Sequence, residues 1–92
     1  MPAAARLLDP SGHPGIITGP GTPTVLIGGM PAATVGDIHT SMFPPPAVHP
    51  PTPIAMGSST VLIGGKPAAR VGDTAGCGAP IVVGAFTVLI GG

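Results

Sequence analysis

The 92-residue sequence contains no tryptophan, no tyrosine and no glutamate, and only two phenylalanines and one cysteine. Without aromatic side chains it has no platform on which to stack bases or sugars. Three basic residues (Arg6, Lys66, Arg70) balance three aspartates (Asp9, Asp37, Asp73). There is thus neither a basic stripe to neutralise phosphates nor an acidic field to steer a cationic partner, which disfavours nucleic-acid binding. A lone Cys77 excludes an internal disulfide and leaves a buried thiol, a metal ligand or a reactive group. Met1 to Leu8 has one charge and no long apolar run, so it does not read as an ordinary signal peptide, and a cytoplasmic start with another route of export is expected. Residues 74–92 are uncharged, but Gly76, Gly78, Pro80, Gly84, Gly91 and Gly92 break them up too often for a membrane helix.

What the chain does have is glycine (16) and proline (14), about a third of its length, at a level that alone suggests low complexity. Against disorder stand 43% hydrophobic residues and a mean hydropathy of +0.59, with only 7% charged. The length allows one small domain over 1–92, with no room for a fused effector domain. An aromatic-free core of this size is thin, and a metal or a partner surface is expected to reinforce it.

An internal repeat organises the sequence. The phrase Thr-Val-Leu-Ile-Gly-Gly occurs at 24–29, 60–65 and 87–92, and a Pro-Ala-Ala phrase leading to Asp runs from Pro2 to Asp9, Pro31 to Asp37 and Pro67 to Asp73. The repeats are 1–29, 30–65 and 66–92. The chain begins on one phrase and ends on the other, so joining 91–92 to 1–4 would recreate the junction at 28–33. That is the pattern of a cut circle, and it predicts closed pseudo-threefold symmetry with adjacent termini rather than an open solenoid with capping repeats. Thr-Val-Leu-Ile bounded by Gly-Gly reads as a short strand entering a tight turn. Pro31 and Pro67 are expected in that turn, with 32–36 and 68–72 returning as second strands and the remainder as long loops. The unbroken Val-Leu-Ile run implies that both faces of the strand are covered, one of them by a partner. The fold class is therefore all-β, three pseudo-threefold repeats of short hairpins packed on one axis, since one hairpin alone is marginal.

Asp9, Asp37 and Asp73 recur once per repeat after a short strand, which favours turn amides as their partners over a catalytic carboxylate cluster. Arg6 and Arg70 hold matching places, with Thr34 in the third, and read as solvated charges or local partners of those aspartates.

From each Asp to the next Thr-Val-Leu-Ile-Gly-Gly the chain takes 10–23, 38–59 and 74–86. His13 and Cys77 fall four residues after their Asp, and His39 two residues after its own. Equivalent loops on a threefold axis converge, so these side chains are expected to approach one another. His49, between Pro44-Pro45-Pro46 and Pro50-Pro51, is the fourth candidate, held by a stiff extended stretch. Three imidazoles and one thiolate form a four-coordinate set that suits a structural zinc ion, the expected cofactor. The alternative is three exposed histidines and a buried thiol, since no C-x-x-C or H-x-x-x-H signature is present. A catalytic zinc would lack a glutamate general base, and a Cys77/His nucleophilic pair would lack a recognisable oxyanion hole. No catalytic residue is therefore assigned.

Gly-Gly-Lys-Pro-Ala-Ala-Arg-Val-Gly-Asp at 64–73, with relatives Gly-Gly-Met-Pro-Ala-Ala-Thr-Val-Gly-Asp at 28–37 and Met-Pro-Ala-Ala-Ala-Arg-Leu-Leu-Asp at 1–9, resembles the PAAR-repeat family over essentially the whole chain. The resemblance implies a small cone of short strands with zinc near its vertex. Its broad base would seat on the trimeric β-helical spike of the type VI secretion system, the VgrG protein. Family members cap and sharpen that spike for membrane puncture and can link it to effectors; the apparatus secretes them from the cytoplasm into a target cell. Carried over, the family's three-His, one-Cys site corresponds to His13, His39, His49 and Cys77. Thr34 departs from the motif's Arg, and Leu8 stands where the other repeats have Gly36 and Gly72, which predicts a difference in local backbone or surface at those positions. A phage tail-spike tip is the structural alternative to this spike cap, and a small zinc hydrolase the enzymatic one.

Overall fold

The computed structural model describes residues 2–11, 15–41, 51–76 and 78–91. Among the described residues nine short strands form: β1 (Ala3–Ala4), β2 (Gly15–Gly19), β3 (Thr22–Ile27), β4 (Met30–Ala32), β5 (Ile38–Ser41), β6 (Thr52–Pro53), β7 (Leu62–Ile63), β8 (Lys66–Pro67) and β9 (Ala85–Leu89). They pair as three two-stranded sheets, β3–β4, β7–β8 and β1–β9, and one three-stranded sheet, β2–β5–β6, all antiparallel. The fold is all-β, as the repeat pattern required.

The first three sheets are one hairpin three times over. Leu26 faces Pro31, Leu62 faces Pro67 and Leu89 faces Ala3. The first two turn on Gly28-Gly29 and Gly64-Gly65, all four at positive φ, the backbone that a two-residue hairpin turn matched to strand twist demands. Pro31 and Pro67 thus lie in the returning strands rather than in the turn, tolerated there because those strands are sheet edges. The third hairpin is made by the two chain ends: β1 pairs β9, and the Ile90 amide donates to the Pro2 carbonyl at 2.8 Å, so the termini are adjacent as the cut circle implied.

The Ala3–Leu89 pairing also corrects the first repeat's register. Counted back from Asp9, Ala3 and not Pro2 occupies the place of Pro31 and Pro67, because the opening phrase carries one extra alanine. Hydrogen bonds agree: the amides of Leu7, Val35 and Val71 donate to the carbonyls of Pro31, Pro67 and Ala3. One turn inward, the Ala5, Ala33 and Ala69 amides donate to the Ala69, Ala5 and Ala33 carbonyls at 2.9–3.1 Å, a closed ring of three backbone bonds around the axis.

Small residues let this ring close tightly, and the core stacks on it in layers. At the hairpin end Ala4, Ala32 and Ala68 pack with Ile27, Ile63, Ile90 and Ala85. The next layer joins Ala5, Ala33 and Ala69 to Ile17, Ile54 and Ile81. Isoleucine faces inward while Leu26 and Leu62, one residue earlier, are 61% and 62% exposed, so the strands alternate and only one face is covered within this chain. Glycine is obligatory where strands cross this core. A Cβ on Gly84 would lie 2.5 Å from the Ala4 carbonyl oxygen, and one on Gly57 would lie 2.9 Å from that of Ala68.

The segments expected as loops are partly sheet. β2, β5 and β6 pair through Ile17–His39 and His39–Thr52, and isolated bridges Pro10–Ile16, Thr74–Pro80 and Ile54–Ala75 continue the same pattern. Their apolar spacing is masked in the sequence by glycine and proline, which hide a strand's period.

Candidate functional site

Beyond the two apolar layers, each Asp closes a turn. Asp9, Asp37 and Asp73 are buried, and each Oδ2 accepts the amide three residues earlier, from Arg6 (2.6 Å), Thr34 (2.9 Å) and Arg70 (2.8 Å). The guanidinium groups of Arg6 and Arg70 clasp the same carboxylates with two bonds each, through Nε at 3.2 and 3.0 Å and through a terminal nitrogen at 3.0 and 3.1 Å. The side-chain hydrogen bond to Asp73 holds Arg70 above its already high ordinary pKa, against a smaller opposing effect of burial. In the middle repeat, Thr34 offers no such clasp, and Asp37 Oδ1 accepts the Gly21 amide at 3.2 Å instead. All three aspartates therefore have structural partners. Leu8 adopts φ +72° where Gly36 and Gly72 adopt +96° and +95°, so the expected backbone departure is absent: leucine is held in the glycine conformation.

Two residues past each Asp, the chain places Ser11, His39 and Ala75 in equivalent positions, shown by matching cross-strand neighbours. The Ser11 amide donates to the Gly15 carbonyl at 3.1 Å, His39 pairs Thr52, and the Ala75 amide donates to the Ala79 carbonyl at 3.0 Å. His39 is thus the repeat equivalent of Ser11 and Ala75, whereas His13 and Cys77 match each other. The sequence spacing, two residues against four, carried that distinction.

His39 is 2% exposed, and its Nε2 lies 2.6 Å from the Ser11 hydroxyl. A Cβ on Gly15 would sit 2.6 Å from that Nε2, so only glycine admits the ring there. His13, His49 and Cys77 lie outside the described residues, and among the described residues no three potential ligands gather. Their described sequence neighbours lie against His39 or against its strand partner Thr52. Ser11, two residues before His13, reaches the imidazole with its hydroxyl, and a Cβ built on Gly15, two residues after it, would collide with the ring. Thr52, three residues past His49, pairs with His39. Gly76, next to Cys77, donates its amide to the Pro53 carbonyl at 2.8 Å, and a Cβ built on it would lie 3.5 Å from Thr52 Cβ. Thr52 Oγ1 is buried with no hydrogen-bond partner among the described residues.

At the opposite end, Leu26, Leu62 and Leu89 are equivalent and 54–62% exposed, three apolar side chains set around one axis. Sequence reasoning pointed to these strands. It missed Gly21, Gly57 and Gly84, whose signal was present in their recurrence three residues before each Thr-Val-Leu-Ile-Gly-Gly.

No curated protein matches the chain. The model of the PAAR motif family matches residues 8–83. Members of that family are structural proteins associated with the spike of type VI secretion systems. The match spans most of a chain whose three repeats close on a single axis, and the chain belongs to the PAAR-motif family, with the general role of a spike-tip protein.

Proposed function

We propose that one copy of this chain caps the blunt end of a trimeric VgrG-like spike, sharpening it for membrane puncture, and that it works as a structural protein without turnover. The observation that supports this is the matched presentation of Leu26, Leu62 and Leu89 by three hairpins closed on one axis. A homotrimer ends in three identical strand edges, and a single chain can satisfy all three only by carrying its own threefold repetition. The exposed leucines supply apolar surface for that contact, one from each hairpin.

We further propose a structural zinc ion held by His13, His39, His49 and Cys77. The burial of His39, the glycine cradle at Gly15, the orphaned Thr52 hydroxyl and the gathering of residues adjacent to the other three ligands support this set. When bound, zinc would tie segments of all three repeats together, adding binding free energy to a fold with a thin core. On this reading the protein is cytoplasmic until the spike is assembled and is then carried out by the secretion apparatus, alone or with effectors.

The test is native mass spectrometry of the protein alone and mixed with the trimeric spike. One zinc per monomer and one monomer per trimer are expected. A complex of three copies per trimer, or none, would refute the cap; a metal-free monomer would refute the zinc site.

A further inference from the structure

We propose that Ser58 is the positioning residue of the third hairpin: its hydroxyl holds the Gly91 carbonyl, and this bond between repeats keeps β9, and with it Leu89, in place where no two-residue turn closes the hairpin. The part of this inference that treats Leu89 as a contact residue rests on the cap reading above.

The β3–β4 and β7–β8 hairpins are closed by their own Gly-Gly turns, whereas β1 and β9 come from opposite ends of the sequence and pair without an intervening turn. Ser58 supplies the missing constraint. It is fully buried (0% exposed), and its Oγ lies 2.7 Å from the Gly91 carbonyl oxygen. The same Oγ accepts the amides of Thr60 at 3.2 Å and Val61 at 3.0 Å. A serine hydroxyl has two lone pairs and one proton, so with both lone pairs taken the proton is directed to Gly91 rather than to the Thr60 hydroxyl, which is farther away at 3.4 Å. The anchor is itself fastened. The Ser58 amide donates to the Ala68 carbonyl at 2.8 Å and the Ala68 amide to the Val61 carbonyl at 3.0 Å, which ties residues 58–61 to the second repeat's core. On the far side of the bond, Ile90 is buried in that core and donates its amide to Pro2, and Leu89 points outward beside it. Fixing Gly91 therefore fixes both.

Two residues before each Thr-Val-Leu-Ile-Gly-Gly stand Thr22, Ser58 and Ala85. Thr22 lies beside Gly64, the equivalent of Gly91: a Cβ built on Gly64 would meet its Cγ2 at 3.5 Å, yet no hydrogen bond joins the two. Among the described residues, the hydroxyl at this position is bonded to the neighbouring repeat's glycine only at the hairpin that has no turn of its own.

The experiment is amide hydrogen exchange by NMR on the full chain, wild type and Ser58→Ala, with affinity for the trimeric spike measured alongside. Ser58→Ala, which places repeat 3's residue in repeat 2, is expected to speed exchange of the Ile90 amide about tenfold, to leave the β3–β4 amides unchanged and to weaken spike binding. Ser58→Thr, which keeps the hydroxyl, is expected to restore both. An unchanged Ile90 amide in Ser58→Ala, or an equal rise in β3–β4, overturns the inference. Faster Ile90 exchange with unaltered spike affinity overturns the role in presenting Leu89. Should the wild type fail to bind the spike, the cap reading falls and exchange alone decides the role of Ser58. In the wild type, a slowly exchanging Ser58 hydroxyl proton with a nuclear Overhauser contact to Gly91 is expected, and its absence overturns the inference even where Ser58→Ala does not fold.

Discussion

The hairpin end and the histidine end of this molecule treat the same threefold repetition in opposite ways. At the hairpin end the three repeats are near copies: isoleucine against alanine in every layer, leucine outward, and a backbone ring that closes on itself. At the histidine end equivalent positions carry different residues, Ser11, His39 and Ala75, and their contact is a specific polar one. Identical positions suit a threefold partner such as the spike proposed above, whereas the proposed metal site needs donors converging on one point, which three repeats need not supply alike. Symmetry is kept at the hairpin end and abandoned where one specific polar contact is made.

The sharpest way to break that contrast is to remove the proposed zinc ion. Chelation is expected to cost several kcal/mol, on the order of the lower values for structural zinc once the folded core is discounted, and thermal unfolding with and without chelator checks it. Amide exchange should then rise first in β2, β5 and β6 and last in the Ala5–Ala33–Ala69 ring. Uniform loss of protection would show that the two ends are one cooperative unit.

Next in size is Gly84→Ala, which places a methyl carbon 2.5 Å from a carbonyl oxygen. Backbone cannot yield as a flexible side chain can, so a loss of about 2–3 kcal/mol in denaturant unfolding is expected. Gly76→Ala, at the other end, meets nothing closer than 3.5 Å and serves as the mild control.

A smaller effect tests the aspartate turns. Arg70→Thr gives the third repeat the side chain of the second, keeping the bond from residue 70's amide to Asp73 and removing only the clasp. A cost of about 1 kcal/mol is expected, since the pair is bidentate but partly solvent-screened. Leu62→Asp is expected to change stability by less than about 0.5 kcal/mol, because the side chain is largely exposed, yet to weaken association with the spike in a pull-down. Leu8→Gly should stabilise slightly, by roughly 0.5–1 kcal/mol, by relieving a leucine at positive φ.

Much of this was legible in the sequence because the repeat is legible. Three copies of one phrase fixed the strands, the closure and the pairing of the chain ends. The register of the first repeat was not, since Pro2 mimics Pro31 and Pro67 while a third alanine shifts the count by one, and only backbone bonding distinguishes Ala3 as the true equivalent. The β2–β5–β6 sheet was hidden because its strands hold only Ile16, Ile17 and Ile38 amid glycine, proline and threonine, too sparse for a period of two. Of the candidate ligands, His39 was read as equivalent to His13 and Cys77 on convergence alone. Its burial, its serine partner and its glycine cradle depend on which segments the closed ring brings side by side, and no local pattern records that.

The pairing of β1 with β9 has a topological consequence. The hairpin formed by the chain ends repeats the two formed within the chain apart from the one extra residue of the first repeat, so the fold has three corresponding places at which its polypeptide can be interrupted. Sealing residue 92 to residue 1 and reopening the loop at Gly28-Gly29 or at Gly64-Gly65 yields cyclic permutations of one ring. Each would present the same core and the same three leucines, with only the position of the nick rotated by a third of a turn.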